Sequence, residues 1–230
     1  MRTLNWLAAL MLAVTCGAAV ADDMPESWDG LVQVKPKRMD AAYLMPGADF
    51  RPFTKLMIDP AEVAFAKNWL RSQNDSRNLS RQVTQEDADK ILAAARSNFD
   101  EVFIETLTKA GYTIVQAPGP DVMRLSTAVL NLYVTAPDVP TAGRSVTYTT
   151  EAGEATLVIE VRDSTTNLLL GRVLDRRETQ RSTMQMTTSV TNRAEFRALF
   201  RAWADIVVKG LGELKDHSPV PEDLQPKQKL

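Results

Sequence analysis

YLMPGADFRPFTKLMIDPAEVAFAKNW, residues 43–69, sets two turns between short apolar runs and closes on a tryptophan. Pro46-Gly47 is a turn, because proline presets one dihedral and glycine accepts a positive φ. Phe53 to Asp59 (FTKLMID) alternates as a strand, with Phe53, Lys55 and Met57 on one side and Thr54, Leu56 and Ile58 on the other. Asp59-Pro60 stops it, since Pro60 has no N–H to give a ladder. Val63-Ala64-Phe65 resumes the apolar run and Trp69-Leu70 ends it. The stretch reads as a broken strand that feeds a core. Asp59 and Glu62 at the break are the two carboxylates there that a ligand site would use.

Downstream, Thr84 opens the first long helix. Its hydroxyl and Asp87 form a capping-box pattern, and Glu86, Asp87 and Asp89 suit the positive end of the helix dipole. Ala88, Ile91, Leu92, Ala95, Phe99, Val102, Phe103 and Leu107 make one apolar stripe, and Gly111 is the expected stop. Tyr112–Gln116 and Val122–Thr135 read as strands around a Pro-Gly-Pro turn. Residues 136–153 read as a loop in which Ser145–Thr150 can pair as an edge strand. Ala155–Asp163 alternates with Ala155, Leu157, Ile159 and Val161 on one face; Asp163 to Asn167 is its turn, and Leu168–Glu178 returns as its hairpin partner.

The segment 179–191 is rich in Ser, Thr and Met and reads as an exposed loop or arm. Asn192 and Glu195 then give a cap for the last helix, with Phe196, Leu199, Phe200, Trp203, Val207, Leu211 and Leu214 as its stripe. Strands in runs with helices at two points predict an α+β fold: a mainly antiparallel sheet of about five strands with two long amphipathic helices packed on one face. Residues 22–216 are expected to be one domain with an extended N-terminal arm anchored by Trp28 and Leu31. Residues 217–230, with three prolines and no periodicity, are expected to be a disordered tail.

The N-terminus has the pattern of a secretory leader. Arg2 precedes an apolar run from Leu4 to Val14, and Ala19-Val20-Ala21 fits a signal-peptidase site, so cleavage is expected after Ala21. The apolar run is short for a membrane span. Cys16 is the alternative: a cysteine after such a run can carry a lipid, although Ala13-Val14-Thr15 is a poor lipidation box. A periplasmic protein is therefore expected, with an outer-membrane lipoprotein as the alternative and membrane association only if Cys16 is lipidated. Cys16 is the one cysteine, so the cleaved chain has no thiol for a disulfide, a nucleophile or a metal.

A net charge of −2 and a pI near 5.6 argue against nucleic acid. His217, the one histidine, falls in the proline-rich tail, which argues against a Ser-His-Asp triad or a histidine metal site. No Gly-x-Ser-x-Gly and no Gly-rich phosphate loop occurs, so no catalytic residue, metal or cofactor is expected. Contact candidates are few. Asp59 and Glu62 could serve a ligand or hydrolase site, Arg176 and Arg177 belong to a small basic cluster with Arg172, and Met184 and Met186 form an adaptable tip. For the charged residues, cross-strand pairing and turn capping are the competing explanation.

These residues together resemble the bacterial domain-of-unknown-function family 3313, whose members are mostly envelope proteins and often lipoproteins. The likeness rests on an ordered series: Arg38, Asp40, Tyr43, Pro46-Gly47 and Asp49; Leu56, Ile58-Asp59-Pro60, Val63 and Phe65; Trp69; Gly111-Tyr112 and Val115; Arg124-Leu125; Val161-Arg162-Asp163-Ser164; and Trp203-Ala204. Ala13 to Cys16 departs from the family's lipidation box. The resemblance implies an envelope protein with no assigned chemistry, and a non-enzymatic role through contacts with another envelope protein is the expected function. A small-ligand or glycan-binding module is the alternative.

Overall fold

The computed structural model describes residues 24–75, 77, 82–134, 148–149, 154–178, 185–186 and 189–230. The leader, Cys16 and Met184 lie outside them.

The expectation of about five antiparallel strands is overturned. The chain builds a nine-stranded mixed sheet. Its N-terminal part supplies β1 (Ser27–Trp28), β2 (Leu31–Val34) and β3 (Ala41–Leu44). Next come β4 (Lys55–Ile58), β5 (Glu62–Phe65), a short α1 (Trp69–Asn74) and the long α2 (Gln85–Lys109). Then follow β6 (Thr113–Ile114), β7 (Val122–Tyr133), β8 (Tyr148–Thr149), β9 (Glu154–Asp163), β10 (Leu169–Glu178), β11 (Gln185–Met186) and α3 (Ser189–Asp216). The sheet runs β1-β2-β3-β10-β9-β7-β4-β6, with β5 also on β7. β8 and β11 pair with each other in a separate two-stranded antiparallel sheet.

The sheet is mixed because α2 is a crossover. Strand β4 runs parallel to both β6 and β7, and β5 also runs parallel to β7. Parallel neighbours need a long connection, and α2 supplies it. The N-terminal arm is not an arm. Asp29 and Gly30 both have positive φ (54° and 82°), the geometry of a tight two-residue hairpin turn, and they fold β1 onto β2. Strand β3 then joins β2 to β10.

Local signals close the elements as expected. The Thr84 backbone N–H donates to the Asp87 carboxylate (3.0 Å), and the Asp87 N–H donates to Thr84 Oγ1 (3.1 Å). Gly111 follows α2 with φ 92°. At the β9–β10 turn the Asp163 carboxylate accepts the Thr165 and Thr166 N–H groups (2.7 and 2.8 Å), and Asn167 takes the left-handed conformation. The last helix starts at Ser189, three residues before the expected Asn192 cap.

Both long helices cover one face of the sheet. Phe99, Val102, Phe103 and Leu107 of α2 and Phe200, Trp203, Val207 and Leu211 of α3 share one core with Leu125, Val129, Leu157 and Ile159. Phe99 stacks on Phe103 and meets Phe200 edge-on, which locks α2 to α3. The residues after α3 are not loose. Val220 exchanges backbone hydrogen bonds with Gly47 and Ala48, and Lys35 and Gln33 bond Gln228 and Lys227. Val220 and Leu224 are buried in the main core. The prolines of this segment prevent a helix, but its two apolar side chains still fix it to the domain.

Candidate functional site

The residues singled out in the sequence do not converge. The Asp59 carboxylate accepts two hydrogen bonds from Arg124 Nε (3.0 and 2.8 Å) and one from Ser126 Oγ (2.6 Å), tying the end of β4 to β7. Glu62 is exposed at the start of β5. Arg176 and Arg177 point to opposite faces of β10. Arg176 pairs with Glu154 (2.9 Å), whereas Arg177 pairs with the buried Asp175 (2.6 Å) on the helix side. Met186 lies in β11, and its side chain is outside the described residues. Among the described residues no group of His, Cys, Asp and Glu is placed to hold a metal ion.

A polar row crosses the face of the sheet away from the two long helices, in one register. Gln33 pairs with Tyr43, Tyr43 with Arg172, Arg172 with Glu160, and Glu160 with Ser126, which bonds Asp59. Arg172 is 3% exposed, grips Glu160 at 2.5 Å and lies 4.0 Å beneath the Trp28 ring. Burial pushes the Glu160 carboxyl up. Hydrogen bonds from Arg162 and Arg172, with their charges, outweigh it and hold that carboxyl below its ordinary range. Burial raises the Tyr43 hydroxyl, against the nearby Arg172 charge. The Tyr43 hydroxyl, Arg172 Nη1 and Gln33 Oε1 are buried with no protein partner among the described residues. On α2, burial raises the Asp100 carboxyl, which accepts the Ala61 N–H (3.0 Å) just after Pro60. Its place at the strand break is a structural one.

A concave site lies on the helix-covered face. A pocket of about 160 Å³ opens between the sheet and the C-terminal half of α3. Ala42 and Leu44 of β3, Ile159 and Val161 of β9 and Val173 of β10 form its floor. Val207, Gly210, Leu211 and Leu214 form its helical wall. Gly171 lets β10 approach β3: a Cβ there would lie 3.1 Å from Leu44 Cδ2 and 3.2 Å from the Tyr43 carbonyl oxygen. Gly210 lines the pocket, and a Cβ there would meet nothing within 4 Å, so a side chain added at this position has room.

The mouth is polar. Lys35, Lys37 and Arg38 come from the segment after β2, and Glu213 and His217 from the end of α3 and just beyond. Glu213 takes Arg38 Nη1 at 2.7 Å and Lys37 Nζ at 3.7 Å. The Arg38 hydrogen bond holds the Glu213 carboxyl below its ordinary range. His217 Nδ1 lies 2.8 Å from the Glu213 carbonyl oxygen, which fixes the ring at the rim. Sequence reasoning placed His217 in a disordered tail and did not single out Lys35, Lys37, Gly210 or Glu213. The one local signal was the run Lys35-Pro36-Lys37-Arg38, which is basic but short.

Solved structures resemble the chain weakly. A PelC dodecamer from Paraburkholderia phytofirmans is 13% identical, with a TM-score of 0.36 over 74% of this chain and 95% of that one. Protein XCC0632 from Xanthomonas campestris is 12% identical, with a TM-score of 0.36 over 80% of this chain and 95% of that one. At these scores the likeness bears on neither assembly nor ligand. No curated protein matches the chain. A family model described as a protein of unknown function matches residues 21–207. Arg38, Tyr43 and Asp59, which carried the resemblance in sequence, occupy the pocket mouth, the buried row and the strand break. The chain belongs to the DUF3313 family of proteins of unknown function.

Proposed function

We propose that the protein is exported to the cell envelope, with its leader removed after Ala21, and acts there without catalysis by holding an apolar ligand. The observation that carries this reading is the pocket under α3: concave, apolar in its depth and polar only at its mouth. The carboxylates offered for a hydrolase support the non-catalytic half. Asp59 is taken up by Arg124 and Ser126, and Glu62 is exposed at the start of β5. Action through protein contacts has a weaker basis. Among the described residues the large exposed apolar side chains are Ile104 and Leu168, one on α2 and one at the β9–β10 turn, which make no patch.

The test is mass spectrometry of the protein purified from a bacterial envelope. The expected result is a chain beginning at Asp22 that carries an apolar molecule, and a Gly210→Leu variant of the same chain that carries none. A chain that keeps residues 1–21 contradicts the export half. Equal cargo in both proteins, or none in either, contradicts the pocket half.

A further inference from the structure

We infer, resting on the pocket being a ligand site, that its ligand is an anionic single-chain amphiphile, with the acyl tail inside and a carboxylate or phosphate head at the mouth. Size selects the tail. A volume of about 160 Å³ matches the apolar cavity of ~150 Å³ that takes up benzene, so it holds a single chain over roughly six carbons. Depth selects an apolar tail, since the floor and wall between β3, β9, β10 and α3 offer aliphatic side chains.

Charge selects the head. Among its side chains the lining contributes Lys35, Lys37 and Arg38 at the mouth against one acid, Glu213, so the cations outnumber the acid there. Arg172 also borders the pocket, but its guanidinium belongs to the opposite face, where Glu160 and Asp29 hold it. Lys37 and Arg38 share Glu213, and Lys35 has no ion pair with any described residue. Lys37 and Arg38 keep side-chain exposures of 43% and 40%, so both remain solvated and able to turn onto a bound anion. A quaternary ammonium head meets the same charge as repulsion, and a hydroxyl head gains nothing from it.

Calorimetry of the full chain with four eight-carbon probes tests this: octanoate, octyl phosphate, octanol and octyltrimethylammonium. Both anions are expected to bind, octanol at least tenfold more weakly, and the ammonium more weakly again. The tighter anion identifies the head group. A Lys35→Glu/Lys37→Glu variant, shown to be folded by circular dichroism, is expected to lose about tenfold toward the anions and to keep its octanol affinity. Equal binding of all four probes in both proteins overturns the inference and leaves the pocket as an apolar site without head preference. Binding of none of them overturns the inference and the pocket reading together.

Discussion

The Trp203 indole N–H on α3 donates to the Asp175 carboxylate on β10 at 2.7 Å, with both residues buried (0% and 4% exposed). The same oxygen takes Arg177 Nε at 2.6 Å. This bond ties α3 to β10 one turn before Val207, which lines the pocket. Asp175→Ala leaves the indole N–H unpaired in the core, so it is expected to cost about 2–3 kcal/mol in chemical denaturation. Trp203→Phe is expected to cost about 2 kcal/mol. The double variant should cost less than the sum; strict additivity would show that the two residues do not act as a pair.

Glu160 gives a pH dependence. Its folded carboxyl is held low by Arg162 and Arg172 against burial, so its contribution is present above the unfolded value of about 4.3 and is lost as pH falls through the lower folded value. Wild-type stability should therefore fall below about pH 4.3 more steeply than that of Glu160→Gln, measured by denaturant titration at each pH. Parallel curves would contradict the row as drawn. At neutral pH Glu160→Gln should be the less stable, because it removes the charge that Arg172 was buried against.

The segment after α3 contributes to the core. Leu224→Ala removes a side chain that is 5% exposed and is expected to cost about 2–3 kcal/mol in thermal or chemical unfolding. A loss under about 0.5 kcal/mol, the ordinary effect of a solvated position, would mean that residues 217–230 are not docked in solution.

Asp59 and Glu62 separate structure from site. Asp59→Ala removes the acceptor shared by Arg124 Nε and Ser126 Oγ and should cost about 1–2 kcal/mol, whereas Glu62→Ala should stay within about 0.5 kcal/mol. Neither should change uptake of an apolar ligand, which fluorescence titration can check.

Legibility in the sequence followed the range of the interaction. The α2 cap needs only Thr84 and Asp87, and the β9–β10 hairpin only its alternation and Asp163, so both were readable. Asp29-Gly30 was also a local hairpin signal, but it joins strands of two and four residues, too short to show a period. The parallel pairing of β4 with β6 and β7 depends on where a crossover helix returns the chain, which no window of sequence contains. Val220 and Leu224 are buried singly among prolines, so they left no pattern. The pocket was the least visible. Its walls come from residues that each read as ordinary core, and they line one space only once β3 and α3 face each other.

Calorimetric titration with octanol, a neutral single-chain probe whose tail matches the volume of about 160 Å³, tests the pocket most directly. Gly210→Leu projects a side chain into the open space beside α3 and replaces a glycine in a helix interior, so it should fold at least as stably as wild type, by about 1 kcal/mol. A ligand pocket predicts saturable octanol binding at one site per wild-type chain, competed by octanoate, and none for Gly210→Leu. Equal binding by both proteins, with Gly210→Leu folded, would contradict it.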